Sequence, residues 1–192
     1  MMNIKELLLH NRSYRRFKQE PTLSKDDLFD LIDSVRLSPS SQNCQALKFI
    51  LLHSIKSCNT LFPFTAWAGY LKDWPGPGKA ERPTSYIIIL NDTNISKISD
   101  VDVGIAAQSI LLSATEKGFG GCLLGSIKRE KIRESFFIDK KYEIPLVIAL
   151  GKPAENVVIE DIDSGDTHYY RDTDDTHHVP KRKVEELIID IS

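Results

Sequence analysis

A short run of cationic side chains with one hydroxyl among them is the stretch of this sequence best suited to chemistry. It comprises Arg12, Ser13, Arg15 and Arg16, directly after a segment with helical spacing of its apolar residues. Guanidinium groups are planar, permanently charged donors that match phosphate oxygens in pairs, and a serine adds a short donor. The run therefore predicts a site for a phosphate monoester. The alternative is a solvated basic turn after a helix, the usual setting of a charge run.

Two further segments could line a ligand. Residues 39–45, Pro-Ser-Ser-Gln-Asn-Cys-Gln, concentrate hydroxyl and carboxamide groups, which supply neutral donors and acceptors suited to the polar edge of a heterocycle such as a flavin. Gly118, Gly120 and Gly121 follow a helical pattern and precede a strand, whereas a dinucleotide fingerprint lies after a strand and before a helix. These glycines indicate either a helix cap or a place where backbone approaches a flat ligand.

A second cationic cluster lies near the C-terminus, where residues 177–183 read His-His-Val-Pro-Lys-Arg-Lys. Lys181 and Arg182 stand at the start of a predicted last helix, and a helix N-terminus beside cations favours a phosphate. An alternative is a metal site built from neighbouring acids and histidines, although their spacing matches no standard ligand pattern. The residues of that alternative are Asp172, Asp174, Asp175, His177 and His178.

The signatures of hydrolases are missing from the sequence. No GxSxG occurs, no thiol-hydrolase signature surrounds Cys44 or Cys122, and no acidic pair is typical of a glycosidase. Two phosphate-holding clusters without acid–base machinery predict that a cofactor carries the chemistry. The three cysteines, which include Cys58, are odd in number and lack a CxxC spacing, so reduced thiols are favoured over disulfides or a zinc site.

Composition and charge bound the class of protein. The 192 residues are 41% hydrophobic and 27% charged, with a formal net charge of -2. This is typical of a globular chain and argues against a general nucleic-acid binder. No apolar run is long enough to span a bilayer, and the first ten residues do not form a secretory signal. We expect one domain over residues 1–192, in a cytoplasmic protein with no membrane or nucleic-acid partner.

Hydrophobic periodicity predicts the elements that position these groups. Helices are expected over residues 3–10, from Ser24 to before Ser38, and over residues 102–117, 128–136 and 180–191. Strands are expected over residues 47–53, 85–90, 122–124 and 146–150, the last closed by Gly151–Pro153. Residues 61–83 form a less regular insert, and residues 155–180 are acidic and irregular. Because no regular βαβ repeat occurs, the fold class is α+β, with a central mixed or antiparallel sheet flanked by helices.

Four motifs in this order resemble the FMN-dependent nitroreductase family, and the resemblance covers nearly the whole chain. They are Arg12–Phe17 after the first helix, Pro39–Gln45 before the first long strand, Asp102–Gly120 across the long helix, and Pro180–Arg182 ahead of the last helix. Two positions depart from the family pattern. Asn11 stands where a basic residue is common, and Gln45-Ala46-Leu47 replaces Gln-Pro-Trp.

The resemblance implies an intertwined, two-fold symmetric homodimer, with FMN at the interface and the helix at residues 180–192 reaching towards the partner. It implies that Arg12, Ser13 and Arg15 face the phosphate and ribityl chain, with Lys181 and Arg182 completing the phosphate shell. The strand Gly121–Gly125, which includes Leu123 and Leu124, would lie behind the ring with a backbone N–H near N5. From the other subunit, the ring would be lined by Pro39, Ser40, Ser41 and Asn43.

The resemblance further implies hydride transfer from NADH or NADPH through FMN to a small electron-poor acceptor, such as a nitroaromatic or a quinone. The insert at residues 61–83 would form one wall of the substrate cleft. There Phe64, Trp67 or Trp74 could stack on an aromatic substrate, with core packing as the alternative. Two other hypotheses keep the cofactor: a specialised flavin- or substrate-modifying reaction, and a non-catalytic flavin-binding redox sensor.

Overall fold

A computed structural model describes residues 2–162 and 165–191 of the chain. Its helices are α1 (Ile4–His10), α2 (Lys25–Arg36), α3 (Ile55–Leu61), α4 (Asp100–Glu116), α5 (Arg129–Phe136) and α6 (Val184–Leu187). Its strands are β1 (Phe17–Lys18), β2 (Leu47–Leu52), β3 (Ser85–Asp92), β4 (Gly120–Leu124), β5 (Tyr142–Pro153), β6 (Val157–Asp161), β7 (Tyr170–Arg171) and β8 (His177–Lys181). Among these residues, none of the helices combines the length and apolar character that crossing a membrane requires.

The central sheet is antiparallel and has the order β1-β5-β3-β2, with β4 also paired to β5. Strand β3 lies in its middle, and all eight of its residues are buried. Ile88 pairs with Val147 of β5 on one side and with Ile50 of β2 on the other. The predicted α+β class with a central antiparallel sheet is confirmed.

Successive residues of β3 point to opposite faces of the sheet, so both faces carry apolar side chains. Helices cover each face. Ile87 and Ile89 pack with α2 and α4, where Ile110 is fully buried. Tyr86 and Ile88 pack in a second cluster with residues of α3 and α5. The predicted cap at the start of α2 is present. Ser24 and Asp27 exchange hydrogen bonds of 3.0 and 3.1 Å at the start of α2.

The prediction for β5 was too short. The strand runs from Tyr142 to Pro153, and Gly151–Pro153 continue it instead of closing it. Phe17 of β1 pairs with Pro153, and a Cβ added at Gly151 would come within 2.9 Å of the Phe17 ring. The close approach of β1 therefore requires glycine in the strand. Helix α4 also begins two residues earlier than predicted, because Ser99 rather than a later residue caps it.

The C-terminal quarter differs most from the sequence prediction. Residues 155–180 are not irregular: β6 and β8 pair in parallel, and β7 pairs antiparallel with β8. The helix predicted from Pro180 to Ile191 is reduced to the four residues of α6, because Pro180 and Lys181 belong to β8. These pairings are tertiary contacts that override local pattern.

The insert at residues 61–83 holds two turns of 3-10 helix, Phe62–Phe64 and Lys79–Glu81. Phe64 and Trp67 pack against the core cluster on the α3 side of the sheet. Trp74 lies near two guanidinium groups, with its ring centre 5.7 Å from that of Arg16 and 4.5 Å from that of Arg171. All three aromatic side chains are therefore held by protein contacts, and the position of the insert beside a substrate cleft stays a prediction.

Candidate functional site

The first cationic run is joined directly to the glycine-containing strand β4. Ser13 forms a parallel bridge with Gly121, and the backbone N–H of Tyr14 donates to the Gly121 carbonyl at 3.0 Å. Gly120 permits this approach, because an added Cβ there would lie 2.4 Å from the Tyr14 ring. The structure thus brings together two segments that are more than 100 positions apart in the sequence.

Arg12 has donor capacity that the protein leaves unused. Its Nη2 donates to the Leu8 carbonyl, whereas its Nε is buried and has no hydrogen-bond partner among the described residues. Burial is the main cause that lowers its pKa below the usual value. Ser13, beside it, is exposed. A buried, unpartnered guanidinium nitrogen next to an exposed hydroxyl suits an anionic ligand.

Arg15, which the resemblance places at the phosphate and ribityl chain, is held by protein groups in this structure. Its side chain is buried and donates to the Ser13 carbonyl at 3.1 Å and to His177 Nε2 at 3.0 Å. The guanidinium also lies 4.6 Å from the centre of the Tyr169 ring. In this conformation Arg15 is engaged by the C-terminal part of its own chain.

Glu155 completes this buried cluster. It accepts from the backbone N–H groups of Arg15 and Arg16, the latter at 3.1 Å, and its other oxygen lies 2.7 Å from Arg171. The carboxylate thereby connects the segment after β5 and strand β7 to the first cationic run. Sequence reasoning missed Glu155, Tyr169 and Arg171, and no spacing in the sequence signals their meeting.

The two histidines of β8 face opposite environments. His177 is 1% exposed, and burial, followed by the charges of Arg15 and Arg171, lowers its pKa to about 4. His178 lies 2.9 Å from a carboxylate oxygen of Asp172 and 2.9 Å from one of Glu160. Its pKa is raised, first by the hydrogen bond to Asp172.

The acidic and histidine residues at 172–178 do not converge on one point. Asp172 and His178 are in contact, while His177 points to Arg15. Within residues 2–162 and 165–191, no group of three or more His, Cys, Asp or Glu side chains is arranged to hold a metal ion.

The space beside one face of β4 becomes more open from the start of the strand to its end. A Cβ added at Gly121 would lie 2.5 Å from the Ala149 carbonyl and 2.7 Å from Leu111, so the start of the strand is closed. Leu123 is 44% exposed, whereas its neighbours Cys122 and Leu124 are buried. At Gly125, just after the strand, an added Cβ would meet nothing within 4 Å. The strand therefore offers an open surface at its far end.

The polar loop at residues 39–45 is held by the first turn of α4. The Ser41 backbone N–H and hydroxyl both donate to Asp102 Oδ1, at 2.9 and 2.8 Å. Three loop residues that are not glycine have positive φ angles: Gln42 (50°), Asn43 (54°) and Gln45 (52°). Beside the loop, an apolar groove of about 520 Å³ runs between α2, β2 and α4.

The loop and β4 do not meet within one chain. The loop leads into β2, and β3 and β5 lie between β2 and β4. Three strand spacings correspond to roughly 14 Å. Pro39, Ser40, Ser41 and Asn43 are thus brought together with one another, but not with Gly121–Gly125.

Lys181 and Arg182 of the second cationic cluster are exposed. Lys181 ends β8, where its carbonyl accepts from Ile162 N at 3.0 Å, and Arg182 Nη1 donates to Glu186 at 3.2 Å. Over the described ranges, no hydrogen bond or ion pair joins either side chain to Arg12 or Ser13. The last helix, α6, is a single turn, so its dipole adds little to these two cations.

Comparison with known proteins agrees with this architecture. The model of the nitroreductase family matches residues 8–152. The Bacillus subtilis (strain 168) protein named "Putative NAD(P)H nitroreductase YodC" is 23% identical over 182 residues, covering 79% of this chain and 90% of that protein.

Solved structures show the same fold. A nitroreductase family protein from Clostridium difficile 630 has a TM-score of 0.67 at 20% identity, with 80% of this chain and 86% of that one covered. A protein from Exiguobacterium sibiricum 255-15, solved in complex with FMN, has a TM-score of 0.64 at 17% identity, with 81% and 90% covered. The family match ends within β5, so the small sheet of β6, β7 and β8 lies beyond it.

Proposed function

The chain belongs to the nitroreductase family, and from this we propose that it is an FMN-dependent oxidoreductase that uses NADH or NADPH to reduce a small electron-poor acceptor. A nitroaromatic compound or a quinone is the class of acceptor that we expect. The relatives support this proposal through their names, since one is named for NAD(P)H and nitroreduction and another was solved with FMN.

The residues at the junction of Ser13 and Gly121 fit such a cofactor. Among the described residues, Arg12 has a buried nitrogen without a partner, Ser13 is exposed, and β4 has an open surface at Leu123. A phosphate needs the first two groups, and a planar ring needs the third. The bridge between Ser13 and Gly121, which sets these groups side by side, is the observation that carries the proposal.

The parts of the site then divide as follows. Arg12 and Ser13 hold the phosphate, and backbone groups of Gly121–Gly125 lie beside the ring. Lys181 and Arg182, which are exposed, are available to complete the phosphate shell. Arg15 anchors the C-terminal segment through His177 and Tyr169 in the conformation described.

We further propose that the site is completed in a homodimer. Pro39, Ser40, Ser41 and Asn43 lie on the far side of β3 and β5 from β4, so a second copy must supply them. The C-terminal segment reaches towards that copy and carries apolar side chains that need a surface to cover them. They are Val184, Leu187, Ile188 and Ile191, which are 65%, 68%, 46% and 85% exposed.

FMN, when bound, would supply the two-electron redox chemistry between the nicotinamide and the acceptor. The side chains of this protein bind and orient. Guanidinium and hydroxyl donors fix the phosphate end, and the strand backbone fixes the ring. A site of this kind needs no nucleophilic side chain, because the protein only binds and orients the cofactor.

The proposal is tested by purifying the protein and recording its absorbance after incubation with FMN and gel filtration. We expect a retained flavin spectrum that NADH or NADPH bleaches and a quinone restores. A protein that does not retain FMN would contradict the cofactor. Retained FMN that neither nucleotide reduces would contradict the activity and support the redox-sensor hypothesis instead.

A further inference from the structure

The contact between Asp102 and Ser41 joins the polar loop to helix α4 across 61 sequence positions. We propose that Asp102 is a positioning residue, which holds the loop at residues 40–45 in the one conformation that presents Ser40, Ser41 and Asn43 to the flavin ring of the partner subunit. This inference rests on the proposed function, because it assigns a role in the FMN site to a residue that touches neither cofactor nor substrate.

Asp102 is well placed to hold the loop. It is 7% exposed, and its Oδ1 alone accepts both the backbone N–H and the hydroxyl of Ser41. Ser99 supports the same junction, since its hydroxyl lies 3.3 Å from that of Ser41 and accepts from Asp102 N at 3.2 Å. Two hydrogen bonds donated to one buried carboxylate fix both the backbone and the side chain of Ser41.

The loop needs such a restraint because its backbone is unfavourable. Gln42, Asn43 and Gln45 all have positive φ angles, which side chains other than glycine rarely adopt. Such conformations persist only where the surrounding structure determines them, and they concentrate at ligand sites. Within the loop, Asn43 N donates to the Ser40 carbonyl at 2.9 Å and Gln45 N donates to the Ser40 hydroxyl at 3.3 Å. These bonds shape the turn, and Asp102 attaches it to the helix.

The arrangement also explains which groups remain available to a ligand. The Ser41 hydroxyl donates a hydrogen bond to Asp102, and its oxygen can still accept one. The Asn43 side chain is exposed. A loop released from Asp102 would lose this presentation, although its residues would be unchanged. Asp102 therefore acts through Ser41, and the quantity that it controls is the affinity of the dimer for FMN.

Three variants separate positioning from general stability. Asp102→Ala removes both bonds, and Asp102→Asn keeps an Oδ1 that can accept them. Asp100→Ala is the matched control, because Asp100 is an exposed acid in the same first turn of α4. The measurements are the FMN dissociation constant from flavin fluorescence and the amide hydrogen exchange of residues 40–45.

We expect Asp102→Ala to weaken FMN binding by about tenfold or more and to speed exchange in the loop. Asp102→Asn should restore binding to within about threefold of wild type, and Asp100→Ala should match wild type. Wild-type affinity in Asp102→Ala would overturn the positioning role and leave the proposed function intact. Equal losses in Asp102→Ala and Asp100→Ala would also overturn it, since the helix terminus would then be responsible. Failure of the wild type itself to bind FMN would overturn the proposed function and this role with it.

Discussion

Arg15 Nη1 lies 3.0 Å from His177 Nε2, a contact that joins the first cationic run to the last strand of the chain. Arginine has only donors, so His177 must accept through Nε2 and carry its proton on Nδ1. That Nδ1 is buried and has no partner among the described residues. The imidazole is therefore neutral, because the guanidinium groups of Arg15 and Arg171 oppose a positive charge on it.

This contact predicts that the C-terminal segment loosens in acid. The folded pKa of His177 is about 4, below the usual value of 6.5, so its contribution to stability is complete above about pH 6.5. The contribution is lost as the pH falls from there towards 4. Urea unfolding of wild type and His177→Gln across this range measures the difference. The free energy of unfolding should fall more steeply with acid in wild type, and parallel curves would contradict the prediction.

His178, one residue on, should show the opposite sign. Hydrogen bonds to Asp172 and Glu160 raise its pKa, so its contribution is present below the unfolded value and is lost as the pH rises through the folded one. The phenol of Tyr170 lies 3.3 Å from Glu160, the carboxylate that also contacts His178. Comparing His178→Gln with wild type should show a difference in stability at pH 5.5 that shrinks by pH 8.5. A difference that grows with pH would be inconsistent with this assignment.

The fold was predictable wherever one local pattern decides an element. The apolar run of β3 indicated a central strand, and Ser24 with Asp27 marked the start of α2. Strands β6 and β8 were not predictable, because each has neighbours in sequence that are polar and each forms only by pairing with the other. A proline inside β8 added to the difficulty, since proline is a poor indicator of a strand.

The candidate site was predictable as a set of segments, but not as a set of contacts. The family resemblance implied that the run at Arg12 and the strand at Gly121 serve one site, and a bridge joins Ser13 to Gly121 in the structure. The engagement of Arg15 by His177 depends on how the C-terminal strands return to the core, which no local spacing encodes. The same holds for Asp102, whose partner Ser41 lies in a loop with unusual backbone angles.

Arg12→Ala and Arg182→Ala are each expected to weaken FMN binding without unfolding the protein. Loss of a charge-assisted hydrogen bond to phosphate costs about 1.5–3 kcal/mol, which corresponds to roughly one to two decades in affinity. Arg36→Ala is a suitable control, because Arg36 is exposed and pairs with Asp33 within α2. Unchanged flavin affinity in both test variants would rule out the phosphate assignment, and a loss in Arg12→Ala alone would restrict it to the first run.

Two glycines of the β4 region should respond differently to alanine. Gly121→Ala places a methyl group 2.5 Å from the backbone oxygen of Ala149, so we expect destabilisation of about 1–3 kcal/mol. Gly125→Ala meets no atom within 4 Å and should leave the free energy of unfolding within about 0.5 kcal/mol. If the flavin ring lies over this end of the strand, Gly125→Ala should nonetheless weaken FMN binding. A stable Gly125→Ala variant with unaltered FMN affinity would show that the ring does not lie over this end of β4.

Cys44 and Cys122 lie near the two segments assigned to the ring and could be taken for a redox pair that relays electrons. Within one subunit the structure keeps them apart. Cys44 precedes β2 and Cys122 lies in β4, with β3 and β5 between them. A disulfide needs Cα atoms within about 7 Å, and three strand spacings exceed that distance. Across the proposed dimer, the burial of Cys122 argues against such a pair, because it raises the pKa of this thiol to about 11 and makes the reactive thiolate scarce at neutral pH.

A variant with Cys44→Ser and Cys122→Ala should therefore keep bound FMN and retain NAD(P)H oxidation within about tenfold, because hydride chemistry at the ring does not pass through sulfur. Alanine is chosen at Cys122 because that side chain is 5% exposed in the apolar core, where burial of a serine hydroxyl costs free energy. The decisive measurement is quinone-dependent turnover alongside reduction of the bound flavin. If turnover vanished while the flavin stayed bound and was still reduced, the thiols would belong to the electron path.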